Sequence, residues 1–207
     1  MGMARWDIIQ AAIVATGARR YLEIGVQGGE CFRRIRCEEK VGVDPDCSSA
    51  ATVHLPSDTY FAQLAPHEQF DVVFVDGLHH REQVYRDIVN AHQVLRRDGV
   101  IVVHDCNPPT QGAGQRVICG GIWCGDVWQG WLDARLALRG TYTCTVDTDL
   151  GCGVVLSGVP PAPVPHYAED QRTWERFVAD RPQWLGLLDP ADLPALWALR
   201  EQHVGVR

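Results

Sequence analysis

With 207 residues, 46% of them hydrophobic and 22% charged, the chain can fill one good core but is short for two typical domains. An excess of 26 Asp and Glu over 19 Lys and Arg argues against a nucleic-acid partner, and no stretch approaches the roughly 20 apolar residues of a membrane span. Lys40 is the sole lysine, so mechanisms that need a catalytic lysine are set aside.

In chain order, residues 6–16 set Ile8, Ile9, Ala12 and Ile13 on one face at helical spacing, with Gly17 placed as a C-cap. Residues 21–25 read as a short strand interrupted by Glu23, and Gly28 and Gly29 open a helix through about residue 36. A second strand at 41–43 closes on Asp44-Pro45-Asp46, and a third is expected at 52–55. Ser57-Asp58 is placed as the N-cap of a helix toward Leu64. The fourth strand is FDVVFV at 70–75, followed by DGLHH and an amphipathic helix over 82–96 that aligns Val84, Ile88, Ala91 and Leu95. A fifth strand follows at 100–103.

Residues 106–125, rich in Gly, Pro and Cys, are too long for a simple connector and read as a lid or an ordered loop over a site. A helix over 127–138 and strands at 141–146 and 152–156 come next. GVPPAPVP from Gly158 is an extended linker, and aromatic-rich helical pieces lie around 174–177 and 193–199. Two parts are expected: 1–157 as a cofactor-binding domain, with 1–17 its N-terminal helix, and 158–207 as linker and helical extension of that domain.

Continuous apolar strands alternating with helices belong to a doubly wound α/β sheet covered on both faces. Ligands in such sheets bind beyond the carboxyl ends of the strands, which singles out Glu23, Gly25, Asp44, Asp58, Asp76 and Asp105. The turn YLEIGVQGGE lacks the GxGxxG fingerprint, since position 27 is Gln, but its glycines allow close backbone approach to a ligand. Asp44 ends the next strand, where a carboxylate can accept both hydroxyls of a ribose.

Glu23-x-Gly25, Asp44, Ser57-Asp58, DGLHH before a helix, and VHDCNPP together resemble the class I S-adenosylmethionine-dependent methyltransferases. The likeness is to the small-molecule O-methyltransferase branch with a DGxHxYE-like motif, and it spans about residues 18–156. It implies a Rossmann-like seven-stranded sheet with the last strand antiparallel. It also implies S-adenosylmethionine as cofactor: the loop with Glu23, Gly25 and Gly28 at its methionine part, Asp44 at its ribose, Ser57 or Asp58 at its adenine edge, and Asp76 beside it. Relatives that use a metal suggest Asp76, Asp105 and, because Cys106 is a poor magnesium ligand, Asn107 around Mg²⁺ or another divalent cation.

A histidine base is the competing scheme: His79 matches the family's histidine and His104 stands beside Asp105, while His80 reads as a bystander opening the next helix. Trp123, Trp128 and Trp131 are equally a pocket wall and a core stripe, and Gln129 stands where similar proteins carry lysine. The acceptor is expected to be a small hydroxylated molecule, a sugar or a secondary metabolite. A nicotinamide-dependent oxidoreductase and a non-catalytic nucleoside-binding protein are the other readings. No signal peptide is visible, and eight cysteines without a CxxC pair suit reduced thiols in a cytoplasmic protein, with a homo-oligomer left open.

Overall fold

The computed structural model describes residues 2–138, 140–166 and 168–204, so the last three positions of the expected extension lie outside the described residues. Strands β1 (Arg20–Ile24), β2 (Glu39–Val43), β3 (Phe70–Val75), β4 (Leu95–Val103), β5 (Tyr142–Val146), β6 (Cys152–Leu156) and β7 (Leu187–Leu188) form one sheet in the order β2-β1-β3-β4-β6-β5-β7. Parallel pairing runs from β2 through β4, whereas β6 is antiparallel to both β4 and β5.

This is the expected Rossmann-like seven-stranded sheet with one antiparallel strand, β6. Two details differ from the sequence reading. Residues 52–55 make a single bridge, Val43 to Val53, and not a strand. The seventh strand comes instead from the tail, where Leu187 and Leu188 pair in parallel with Thr145 and Val146. A β-prone run becomes a strand only when a neighbouring edge accepts it, and here the edge of β2 is met for one residue only.

Alternate strand residues feed two cores, as expected for strands buried on both faces. Leu22, Ile24, Val73, Val75, Ile101 and Val103 face helices α3 (Ser57–Gln63), α4 (Arg81–Gln93), α5 (Val127–Ala137) and α6 (Trp174–Leu185). Tyr21, Val72, Phe74, Val100 and Val102 face α1 (Arg5–Thr16), α2 (Glu30–Arg34) and α7 (Leu193–Val204). The tail therefore rounds the sheet: Phe177 and Trp184 of α6 are buried on one face, Leu196 and Trp197 of α7 on the other. Trp128 and Trp131 belong to the core with them, Trp128 lying 4.4 Å from Phe177 between ring centroids.

Helix limits are close to those expected. Gly17 caps α1 in the left-handed region at φ 60°. Ser57 and Asp58 fall inside the first turn of α3, where Pro56 is the N-cap, and Leu95 belongs to β4 and not to α4. Among the described residues no helix is long and apolar enough to cross a membrane.

Candidate active site

The chain crosses from β1 to β2 on one side and to β3 on the other, so strand order reverses between β1 and β3 and a crevice opens at their carboxyl ends. Gly25 makes this close approach feasible. At φ 86° it lies in a region that favours glycine, and a Cβ there would fall 2.0 Å from the carbonyl oxygen of Asp76. A cavity of about 650 Å³ fills the crevice, walled by Gly25, Gly28, Asp44, Ser57, Asp58 and Asp76 among others. That size suits a nucleoside-bearing cofactor.

Asp44 is buried and fully engaged. Its Oδ2 accepts from the Val26 and Gln27 amides at 3.0 and 2.8 Å, and its Oδ1 accepts from the Asp46 amide at 2.9 Å. It therefore holds the glycine loop against the end of β2 as well as lining the cavity. Ser57 and Asp58 share Gln83, whose Nε2 donates to Ser57 Oγ at 3.1 Å and to Asp58 Oδ1 at 3.2 Å. Gln83 and Asp87, both on α4, also line the cavity, and sequence reasoning passed over them. Burial pushes the Asp87 carboxyl up to about 6, against its contacts with Ser57 and Gln83.

Glu23 lies beneath the loop, 1% exposed, accepting from Tyr21 Oη at 2.5 Å. Burial raises its carboxyl to about 7, the Tyr21 hydrogen bond opposing and nearby Asp76 adding to the rise.

Beyond Asp76 the site changes character. His79 Nε2 lies 3.5 Å from Asp76 Oδ1 and 3.3 Å from Asp105 Oδ2. His104 Nδ1 lies 3.3 Å from the same two oxygens, while its Nε2 is 3.6 Å from Asp149 Oδ1. Asp105 reaches inward because its backbone is left-handed at φ 60°, a strained setting for a residue with a Cβ. The chain after it joins the start of β6, with the Cys106 amide donating to Gly151 and the Asn107 amide to Leu150.

Asn107 donates from Nδ2 to Asp147 Oδ1 at 2.8 Å while its own Oδ1 is buried without a hydrogen-bond partner, and the buried Cys106 sulfur contacts the Val103 and His104 carbonyls. Among the described His, Cys, Asp and Glu side chains, Asp76, His79 and Asp105 offer ligand atoms that lie within 4.8 Å of one another.

Charge decides what each histidine can do. Burial works to lower the His104 pKa, but its contacts with Asp105, Asp149 and Asp76 outweigh this and raise it far above the usual imidazole range. A ring held protonated in this way is a charge anchor, not a base. Asp149 is held well below the ordinary carboxylate range, chiefly by His104. Asp76 is likewise lowered, burial being overcome by His104 and His79. His79 is raised more modestly: burial opposes, Asp76 and Asp105 prevail, and His104 works against them.

The loop 106–125 covers this cluster. The Trp123 ring stacks on His79 at 5.1 Å and 27°, anchored by its own Nε1 donating to the Gln115 carbonyl at 2.9 Å. At the loop's end the chain runs so close that a Cβ on Gly125 would fall 2.0 Å from the His79 carbonyl oxygen. His80 starts α4 as its N-cap, outside the charge cluster. Arg5 and Asp149 belong to the cluster and were not foreseen, since they come from residues 144 apart in sequence and 71 or more from Asp76.

Residues 22–106 match the family model described as a methyltransferase domain. This stretch is similar to a methyltransferase domain. It holds the glycine loop, Asp44, Ser57, Asp58, Asp76, His79 and Asp105, and leaves Arg5 and Asp149 outside. Comparison with curated proteins finds no match.

Solved structures that share the methyltransferase fold include cofactor-bound Rv0187 from MTB, 22% identical with TM-score 0.53 over 75% of this chain and 81% of that one. An O-methyltransferase from Bacillus cereus in complex with SAH is 16% identical, with TM-score 0.57 over 76% and 82%. The O-methyltransferase TomG from Streptomyces achromogenes, involved in tomaymycin synthesis and solved with SAM, is 18% identical, with TM-score 0.51 over 73% and 78%. At these identities the likeness establishes the fold.

Proposed function

We propose that the protein is an S-adenosylmethionine-dependent methyltransferase acting on a hydroxyl of a small molecule, with His79 as proton acceptor. The observation that carries this reading is Asp76. It closes the nucleoside-sized cavity on one side and contacts His79 and His104 on the other, so the cofactor space and the charge cluster meet at one carboxylate.

S-adenosylmethionine, when bound, supplies an activated methyl group. The chain's task is then alignment and deprotonation. In this reading the Gly25–Gly28 loop takes the methionine part, Asp44 the ribose, and Ser57 or Asp58 the adenine edge, all of them lining the cavity. With His79 Nε2 directed at two carboxylates, Nδ1 is the basic nitrogen, and it is buried without a hydrogen-bond partner. Asp76 and Asp105 orient the ring and stabilise the imidazolium formed when Nδ1 takes the acceptor's proton. The charge balance agrees. Asp76, Asp105 and Asp149 carry three negative charges, Arg5 and His104 offset two, and proton uptake by His79 brings the group to neutrality.

A second reading has an observation of its own. The mutual spacing of Asp76, His79 and Asp105 fits a divalent cation, which would lower the cost of removing the acceptor's proton. An imidazole between two carboxylates suits Mn²⁺, Fe²⁺ or Zn²⁺ better than Mg²⁺. Once an acceptor is found, turnover that survives EDTA supports the base, and turnover restored only by added metal supports the cation. The eight free thiols support a reducing compartment such as the cytoplasm.

Calorimetry with S-adenosylmethionine, S-adenosylhomocysteine and NAD tests the class. Binding of both sulfur compounds without NAD is expected. Tight NAD binding with no response to the other two would sink the reading.

A further inference from the structure

Beside the 650 Å³ cavity lies a second of about 250 Å³, walled by Arg5, Glu23, Gln27, Gly28, Glu30 and Asp76 among others. The two share Gly25, Gln27, Gly28 and Asp76, so they adjoin across the glycine loop and Asp76. Among the described residues, the wall of the smaller cavity carries Glu23, Glu30 and Asp76 and one cation, Arg5. Arg5 opens α1, outside the methyltransferase domain match, and is carried to the site by tertiary packing.

Its setting is that of a held and partly unused donor. The Arg5 amide and Nη1 donate to Asp149 Oδ2 at 2.8 and 3.1 Å, and Thr148 Oγ1 donates to the Met3 carbonyl at 2.6 Å. The loop making these contacts is strained, with Asp149 at φ 46° and Leu150 at φ 64° before Gly151 at φ 85°. Meanwhile Arg5 Nε is buried, makes no hydrogen bond and lies 3.8 Å from Asp76 Oδ2. A buried guanidinium donor without a partner is costly unless a ligand supplies one.

We propose that Arg5 binds the carboxylate of the cofactor's amino-acid arm, while Glu23 and Asp76 face its ammonium. Resting on the cofactor assignment above, this makes Arg5 the residue that discriminates cofactors carrying the carboxylate from those lacking it. An arginine fork matches a carboxylate in two parallel hydrogen bonds, which a lysine does not.

The test is calorimetry with S-adenosylhomocysteine and its decarboxylated analogue, which keeps nucleoside, sulfur and ammonium. Wild-type protein should prefer S-adenosylhomocysteine by roughly 10- to 100-fold. Arg5→Gln should remove that preference by weakening S-adenosylhomocysteine alone, the analogue's affinity staying within about twofold. Arg5→Lys, the milder change, should lose about tenfold on S-adenosylhomocysteine only. Equal loss on both ligands, or no loss on either, overturns the role of Arg5. Wild-type protein that binds neither ligand overturns the cofactor assignment itself.

Discussion

On the β1–β2 side of Asp76 the site is built from backbone and from carboxylates met by neutral donors: a glycine loop, three amides gathered by Asp44, and a glutamine bridging Ser57 and Asp58. On the β4–β6 side it is built from charge, three carboxylates interleaved with two imidazoles and an arginine. The first arrangement recognises shape and tolerates many ligands of one outline. The second fixes protonation states, because buried charges in close contact cannot titrate independently. A transferase needs both, and here they abut at a single residue.

The comparison is broken most severely on the charged side. His79→Ala should lower kcat by about 10²- to 10⁴-fold, the usual worth of a positioned base, with S-adenosylhomocysteine affinity within about twofold. Loss of cofactor binding in that variant would show that the two sides are not separable. Asp44→Ala should do the reverse. Removing an acceptor of three amide hydrogen bonds should cost about 2 to 3 kcal/mol, read as roughly 30- to 150-fold weaker S-adenosylhomocysteine binding in calorimetry.

Glu23 sharpens the contrast through pH. Its pKa is raised in the fold, so its contribution to stability is full below the unfolded value of 4.5 and is lost as pH rises through about 7. Urea unfolding of the wild type between pH 5 and 8 should therefore lose about 2 kcal/mol that Glu23→Gln does not lose. Parallel curves for the two proteins would count against a buried neutral Glu23. The smallest effect is expected from Trp123→Ala. Losing one ring stacked on His79 is worth about 0.5 to 1.5 kcal/mol, seen as a KM for the acceptor raised threefold to tenfold at nearly constant kcat.

Much of the frame was legible in the sequence because strand pattern is local. FDVVFV and CGVVL are strands residue for residue, and the ends of β1, β2, β3 and β4 delivered Glu23, Asp44, Asp76 and Asp105 to one end of the sheet. What was not legible depended on register or on distant chain. Asn107 is singled out only by its place after Cys106, and neither the pairing of 106 and 107 with the β5–β6 loop nor the bond from its Nδ2 to Asp147 is written in local pattern. Residues 52–55 look like a strand until the edge of β2 declines them. Arg5 and Asp149 carry no motif, and only the docking of α1 onto a strained loop brings them together. Trp123 and Trp128 are the same residue type five positions apart, and only packing separates the ring on His79 from the ring in the core.

The two-residue strand β7 has a consequence for how the molecule behaves in company. Without it the second half of β5 would present unpaired amides and carbonyls at the rim of the sheet, and such a rim recruits strands from other molecules. Leu187 and Leu188 occupy that rim, assisted by the Thr145 amide bonding the Gly186 carbonyl and the Asp147 amide bonding the Leu188 carbonyl. The tail is in this sense a built-in partner strand. Among the described residues, only the short Tyr142–Cys144 stretch of β5 then lacks a strand partner on that side, and there the Thr143 carbonyl accepts from Arg135.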